Sequence, residues 1–174
     1  GLGDVYKRQD EEQANRIWLG RKSAFGAMGQ IADYMCLDGT IPVNKLPYVL
    51  KCIGEMSKTY GLSVANVFHA GDGNMHPLIL YDANKPGELT KCEEFGAEIL
   101  RLCVEVGGCL TGEHGVGIEK RELMDYQFTA DDIDAQLRIK DVFDSKWLLN
   151  PLKVFPLHHT CLLYTSPSPR DLLG

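Results

Sequence analysis

The chain has 174 residues, of which 44% are hydrophobic and 24% charged, with a formal net charge of −6. This length and apolar content suit one globular domain and argue against a disordered chain. No apolar run approaches the ~20 residues that a transmembrane helix needs. The acidic balance lacks a basic block, which excludes the electrostatic footprint of a nucleic-acid-binding protein. The cysteines form no C-x-x-C pair and no secretory signal opens the chain, so we predict a cytoplasmic protein with reduced thiols.

Both ends of the chain resemble translated adapter DNA. A DNA segment that encodes Asp4–Gln9 encodes the sequence of Cys161–Ser166 when its complementary strand is translated. We therefore predict that residues 1–9 and 161–174 are non-native tails, and they are excluded from the fold prediction. The native body is then residues 10–160, which we expect to be truncated at both ends.

Hydrophobic periodicity and turn residues predict the secondary structure in chain order. The predicted helices cover residues 10–30, 42–60, 86–106, 118–124 and 131–143, and the predicted strands cover residues 31–37, 64–69, 75–81 and 109–111. The turn sequence Gly71–Asn74 joins two of these strands as a β-hairpin. Because a hairpin is not a crossover, we predict an α+β fold with an antiparallel sheet covered by helices on one side, rather than a doubly wound parallel sheet.

The first candidate site is the segment His69–His76, with the sequence HAGDGNMH. On one straight strand, two histidines seven residues apart would lie on opposite faces. A hairpin turn at Asp72 and Gly73 folds the second strand beside the first, so both imidazoles can meet at the mouth of the hairpin. Asp72 and Asn74 can close such a turn through side-chain hydrogen bonds.

The second candidate site is the glycine-rich loop Gly112–Gly117, with the sequence GEHGVG. Its glycines let the backbone approach a ligand closely, and the adjacent side chains of Glu113 and His114 can diverge to serve two functions. Two histidines and one glutamate are a common ligand set for a catalytic divalent metal with open coordination positions. His69, His76 and Glu113 are therefore a candidate metal site, with His114 as a base beside it.

Each of these residues also has an ordinary structural interpretation. A lone histidine is more often a hydrogen-bonded structural residue than a ligand, and Asp-Gly-Asn alone is a common turn. The histidines outside the C-terminal tail all fall in the two glycine-bracketed loops, which favours a shared site. The Gly-x-Gly at residues 115–117 lacks the strand, the spacing and the later acidic residue of a dinucleotide-binding fingerprint.

Four segments occur in an order that is typical of one known family. They are Trp18–Lys22, Val67–Pro77, Gly112–Gly117 and Leu149–Lys153. Together they resemble the C-terminal domain of FAD-linked 2-hydroxyacid oxidoreductases, and the resemblance covers residues 10–160. It implies the substrate (cap) domain of an FAD-dependent dehydrogenase or oxidase that acts on a small 2-hydroxyacid such as glycolate or D-lactate. It also implies that the upstream FAD-binding domain and the opening part of the cap domain are absent from this sequence.

The resemblance implies a role for each matching residue. His69, His76 and Glu113 match the ligands of a zinc or manganese ion, which would hold the carboxylate and the 2-hydroxyl of the substrate. His114 matches the base that accepts the hydroxyl proton, and Arg21 matches a contact to the substrate carboxylate. Hydride would pass from the substrate Cα to the flavin.

The remaining implications concern the flavin and the partners. Asn150 lies in the segment that returns to the flavin domain in the family, which makes it the candidate FAD contact. The resemblance also implies electron-transfer subunits and a peripheral association with a membrane, although the sequence encodes no anchor. Some relatives carry a basic residue after the position of Tyr34, where this chain has Met35 and Cys36, and this difference leaves the size of the substrate open.

Two other functions are consistent with the same residues. His69, His76 and Glu113 could hold a metal that activates water in a hydrolase without flavin. The domain could also be an interaction module whose histidines serve packing. An upstream flavin domain would argue against the hydrolase, whereas a lack of bound metal would favour the module.

Overall fold

The computed structural model describes residues 10–160, so both predicted tails lie outside the described residues. In this range the helices are α1 (Glu11–Gly29), α2 (Leu46–Tyr60), α3 (Glu88–Glu105), α4 (Met124–Gln127), α5 (Ala130–Phe143) and α6 (Leu157–Thr160). The strands are β1 (Asp33–Cys36), β2 (Gly39–Thr40), β3 (Val64–His69) and β4 (Asn74–Tyr81). Short 3₁₀ helices cover Val43–Lys45 and Arg121–Leu123. The predicted α+β class is confirmed.

The centre of the sheet is β4, which pairs with all three other strands. β3 forms a hairpin with one edge of β4, in which Val67 lies opposite His76 and His69 lies opposite Asn74. On the other edge, β1 pairs with the C-terminal half of β4 and β2 pairs with its first two residues. Every pairing is antiparallel, as the hairpin sequence predicts.

The hydrophobic core lies between one face of the sheet and helices α2 and α3. Met75 and Ile79 of β4 are buried in one cluster with Ile53 of α2 and Phe95 of α3. Burial of each such side chain contributes roughly 1.5–3 kcal/mol to stability. Successive side chains of a strand alternate between its faces, so His76 points away from this core. The packed face therefore leaves the opposite face of β4 for the candidate site.

Capping chemistry fixes several helix ends near their predicted positions. The side chain of Asp10 accepts a hydrogen bond of 2.7 Å from the Gln13 N–H at the start of α1. Thr129 and Asp132 form a reciprocal capping box at the start of α5. Gly61 ends α2 in the left-handed conformation with a φ of 65°.

Three local predictions are wrong. The helix predicted over residues 118–124 is replaced by turns and the 3₁₀ helix, because the buried Lys120 is drawn to Asp38 by tertiary contacts. The strand predicted over residues 109–111 is reduced to a single bridge between Cys109 and Thr40. The α-helix predicted from residue 42 begins at Leu46, because Pro42 has an extended backbone and residues 43–45 form a 3₁₀ helix.

The first helix is bound less closely to the domain than its sequence predicts. Its apolar residues recur at helical spacing, yet none is buried, and Ile17, Trp18 and Leu19 are 55%, 50% and 67% exposed. Within residues 10–160 these three side chains thus have little apolar surface to cover them. No helix in this range is both long and apolar enough to cross a membrane.

We expect Gly73→Ala to reduce the free energy of unfolding by about 1–3 kcal/mol. Gly73 has a φ of 79°, and a Cβ at this position would lie 2.0 Å from the Ile41 carbonyl oxygen. The matched control is Gly71→Ala in the same turn, because a Cβ at Gly71 would meet nothing within 4 Å. Urea unfolding of both variants measures the difference, and equal stability losses would contradict the steric explanation.

Candidate active site

The hairpin brings the two predicted histidines together. His76 lies opposite Val67, and His69 follows two residues later on the same face of β3. The two imidazole rings meet edge to face with centroids 5.4 Å apart. As predicted, Asp72 closes the turn by accepting a hydrogen bond of 3.2 Å from the Asn74 N–H.

His76 forms the floor of the site. Its side chain is only 5% exposed. Its Nδ1 lies 3.1 Å from the Leu37 carbonyl oxygen. A carbonyl can only accept, so Nδ1 carries a proton, and Nε2 is the ring nitrogen that faces the site. Such a hydrogen bond to the backbone is the usual way in which a metal-binding histidine is oriented.

The glycine-rich loop places Glu113 among three imidazoles. Its Oε1 lies 3.0 Å from Nε2 of His76, 3.9 Å from Nε2 of His69 and 4.0 Å from Nε2 of His114. The His114 ring stacks on the His76 ring at 5.1 Å. The ligand atoms of His76, Glu113 and His114 all lie within 4.8 Å of one another, whereas His69 lies at the edge of this group. His76 is buried, and the side chains of the other three residues are about half exposed.

A buried carboxylate that the sequence analysis did not identify supports this loop. Asp38 is fully buried between β1 and β2. Its side chain accepts hydrogen bonds from the Thr111 hydroxyl and from the backbone N–H groups of Gly112, Glu113 and His114. Burial alone would raise the pKa of Asp38, but these hydrogen bonds and the ammonium of Lys120 hold that pKa well below its usual range. The carboxylate is therefore ionised at neutral pH.

Helix α1 forms one wall of the cleft. The cleft has a volume of about 300 Å³ and is lined by Trp18, Arg21, Lys22, Phe25, Cys36, Val67, His69, His76, Glu113 and His114. The guanidinium of Arg21 donates to the Phe68 carbonyl oxygen (3.3 Å) and to Nδ1 of His69 (3.1 Å). The cleft thus contains the predicted substrate-binding cation, Arg21, and the predicted metal ligands, with Lys22 as a second cation.

The donor atoms fit a divalent metal, although not every nearby group is suited to bind it. Both Asp38 oxygens are already occupied by hydrogen-bond donors. Burial, with a smaller contribution from Asp38, raises the pKa of the Cys36 thiol, which therefore stays protonated at neutral pH. The imidazoles and Glu113 remain, and these are ligand types that zinc and manganese accept.

Asn150 is the one predicted site residue that does not line the cleft. It is exposed, has a φ of 47°, and its Oδ1 lies 3.5 Å from the Lys153 ammonium. Sequence analysis missed Asp38, Lys120 and the aromatic wall of Trp18 and Phe25. A buried Asp-Lys pair has no local sequence signal, because its partners lie 82 residues apart.

The fold and the cleft thus define an α+β domain with a candidate site for a metal and a small acid. The chain belongs to the family described as FAD linked oxidases, C-terminal domain, which matches residues 1–154. The predicted resemblance is confirmed at the level of the family.

Several curated proteins are similar to this chain. The glycolate oxidase subunit GlcD of Escherichia coli (strain K12) is 56% identical over 162 residues, which cover 92% of this chain and 32% of the relative. GlcD of Bacillus subtilis is 35% identical over 152 residues, which cover 87% of this chain and 32% of the relative. A D-lactate dehydrogenase of Archaeoglobus fulgidus is 31% identical over 157 residues, which cover 88% of this chain and 34% of the relative. The chain spans about a third of the length of these relatives.

Proposed function

We propose that this chain is the substrate domain of an FAD-dependent oxidoreductase that converts a small 2-hydroxyacid, of the glycolate or D-lactate type, into the 2-oxoacid. The observation that carries the proposal is the convergence of Glu113 and three histidines in a cleft that also contains Arg21. Family membership supplies the flavin chemistry, and the relatives named for glycolate and D-lactate supply the substrate class.

His69, His76 and Glu113 are the proposed ligands of a divalent metal, zinc or manganese. When bound, such a metal acts as a Lewis acid that makes the substrate hydroxyl easier to deprotonate. His76 faces this point with Nε2, because its Nδ1 is held by the Leu37 carbonyl oxygen. His69 accepts from Arg21 at Nδ1, so in the neutral ring its proton sits on Nε2. To bind through Nε2, His69 must move that proton to Nδ1 and give up the Arg21 contact.

This tautomer change would free Arg21 to bind the substrate. A guanidinium has five donors and no acceptor, so it cannot remain hydrogen-bonded to a protonated Nδ1. Released from His69, it is free to pair with the substrate carboxylate in a bidentate arrangement. Arg21 therefore binds and orients the acid, while Lys22 adds positive charge to the same cavity.

His114 is the proposed general base. Oxidation of a 2-hydroxyacid removes the hydroxyl proton and a hydride from Cα, so the proton needs an acceptor close to the metal ligands. The half-exposed ring of His114 stacks on His76 and is open to solvent on its other side. Its imidazole can accept the hydroxyl proton and pass it on to water. The hydride acceptor is the FAD, for which Asn150 is a proposed contact outside the cleft.

The proposed partners follow from the length of the relatives. An upstream FAD-binding domain belongs to the proposal, because the chain matches only about a third of each relative. Electron-transfer subunits, a peripheral association with a membrane and a cytoplasmic location remain proposals drawn from the family resemblance and the thiols. The cysteines within residues 10–160 are all free, which agrees with a reducing compartment. The native body of residues 10–160 and the two adapter-derived tails also remain a proposal.

Expression of the full-length gene product tests the proposed function. We expect a yellow protein whose flavin absorbance bleaches when glycolate or D-lactate is added, together with a stoichiometric divalent metal. A complete reading frame without a flavin domain, or a colourless protein that binds metal and hydrolyses a substrate, would favour the hydrolase. Full activity of the metal-free protein would contradict the metal role.

We expect Arg21→Ala to raise the KM for the 2-hydroxyacid by about 10–100-fold, because each hydrogen bond to a charged group contributes ~1.5–3 kcal/mol. The effect on kcat should be smaller, since the base and the metal ligands stay in place. Arg16→Ala is the control, because Arg16 pairs with Glu12 on the same helix and is 77% exposed. Steady-state kinetics measure both variants, and an unchanged KM in Arg21→Ala would exclude the carboxylate contact.

A further inference from the structure

The loop that carries Glu113 and His114 is built around a buried anion. Three consecutive backbone N–H groups point at the side chain of Asp38, from Gly112 (2.9 Å), Glu113 (3.1 Å) and His114 (2.8 Å). The Thr111 hydroxyl donates to the same oxygen at 2.7 Å. Backbone amides that converge in this way form an anion-binding concavity, and here a side chain of the protein itself fills it.

A buried lysine also binds Asp38 and Thr111. Lys120 is 3% exposed, and its ammonium donates to Oδ2 of Asp38 (3.2 Å), to the Asp38 carbonyl oxygen (3.3 Å) and to the Thr111 hydroxyl (3.1 Å). All three ammonium donors therefore have partners. A buried charge pair is tolerated when its polar atoms are satisfied in this way.

The loop packs so closely against the β3–β4 hairpin at Gly112 that a side chain has no room there. A Cβ at Gly112 would lie 2.6 Å from Oδ1 of Asn74 and 2.9 Å from Oδ1 of Asp38. Asn74 is itself the first residue of β4, two positions before His76. The glycine thus allows the loop to pass directly between the Asp38 carboxylate and the strand that carries His76.

We propose that Asp38 is a positioning residue of the site, whose carboxylate fixes the backbone of residues 112–114 so that Glu113 and His114 meet His76 in one cleft. The proposal rests on the roles that we propose for Glu113 and His114. Asp38 itself touches neither substrate nor metal, since its oxygens are taken by these hydrogen bonds. Glu113 and His114 are each held through the N–H of their own residue, so the orientation of both side chains depends on one carboxylate.

The test compares Asp38→Asn with Asp144→Asn in the full-length flavoprotein. Asp144 is a matched control, because it is also buried and accepts from one lysine and from the N–H groups of Leu148 and Leu149, far along the chain from the loop. Hydrogen exchange is followed in the metal-free protein for the peptide that covers residues 111–115. Manganese affinity and steady-state kinetics are measured on the same preparations.

We expect exchange at residues 111–115 to become at least ~10-fold faster in Asp38→Asn, with exchange in α3 unchanged. Manganese affinity and kcat should fall by about 10–100-fold, the usual effect of losing a group that orients a metal ligand. Asp144→Asn should change exchange only around residues 147–149 and leave manganese affinity intact. If Asp38→Asn does not fold, Thr111→Val removes the hydrogen bond from Thr111 to Asp38 and the one from Lys120 to Thr111, and should give a smaller change of the same kind.

Unchanged exchange at residues 111–115 in a folded variant would overturn the proposal. So would faster exchange with wild-type manganese affinity and turnover, because the loop would then not position the site. If the wild-type protein oxidises no 2-hydroxyacid, the proposed function fails, whereas the exchange and manganese measurements still decide the role of Asp38.

Discussion

Replacing His114 by alanine should reduce kcat by about 10²–10⁴-fold, the range attributed to a positioned general base, while the metal stays bound. His114 lies beside the ligand set, with its Nε2 4.0 Å from Oε1 of Glu113. A base in this position acts on the substrate proton and contributes little to metal affinity. Steady-state kinetics and metal analysis of the purified full-length variant measure the two effects separately. Free imidazole should restore part of the turnover, because it replaces the missing group.

His69→Ala is the informative comparison, because His69 is as exposed as His114 and as far from Glu113. Its Nε2 lies 3.9 Å from Oε1 of Glu113, and the two side chains are 45% and 46% exposed. The distance to Glu113 thus does not distinguish the two residues, and His114 in fact lies closer to His76 and Glu113 taken together than His69 does. We expect His69→Ala to lose the metal, and His158→Ala, outside the cleft, to change neither metal content nor kcat. If His114→Ala loses the metal and His69→Ala retains it, His114 is the ligand and His69 is the base.

The meeting of His69 and His76 could be predicted from sequence because a hairpin is a local structure. The turn residues join two strands whose side chains point alternately to the two faces of the sheet. The pairing of the strands then fixes which side chains share a face. The observed register, with His76 opposite Val67, follows from these rules. Gly73 takes the positive φ that the turn requires.

The conformation of the Glu113 loop could not be predicted, because a distant residue determines it. The sequence around residues 112–117 indicates a glycine-rich loop, in which Gly115 and Gly117 take positive φ values. Its actual path depends on Asp38, which lies 74 residues before Gly112. The helix predicted over residues 118–124 fails for the same reason, since Lys120 is buried against Asp38 instead of facing solvent.

The contact between Arg21 and His69 also depends on tertiary structure. Helical periodicity places Arg21 on α1 but gives no indication of what this helix faces. In the structure α1 covers the cleft through Trp18 and Phe25, while Ile17 and Leu19 stay exposed. The family resemblance therefore identified Arg21, and the structure adds its contact with His69, which the proposed metal binding through Nε2 would break.

Glu113→Gln should weaken metal binding by at least ~100-fold, because it removes the only charged ligand in the proposed set and leaves a side chain of the same size. The attraction between a carboxylate and a cation near a protein surface is worth several kcal/mol, and each ~1.4 kcal/mol corresponds to a factor of ten in affinity. Turnover at limiting metal should fall by a similar factor. The measurement is a metal titration of kcat, read beside the metal content of the protein as purified.

Glu122→Gln is a matched control, since the Glu122 side chain is 54% exposed and that of Glu113 is 55% exposed. Glu122 pairs with Arg121 and lies outside the cleft, so its replacement should leave the titration unchanged. Excess metal should restore turnover in Glu113→Gln but not in His114→Ala, whereas imidazole should do the reverse. A Glu113→Gln variant with wild-type metal affinity would remove Glu113 from the ligand set. The two rescue experiments therefore separate the ligand from the base even though both residues are neighbours in one loop.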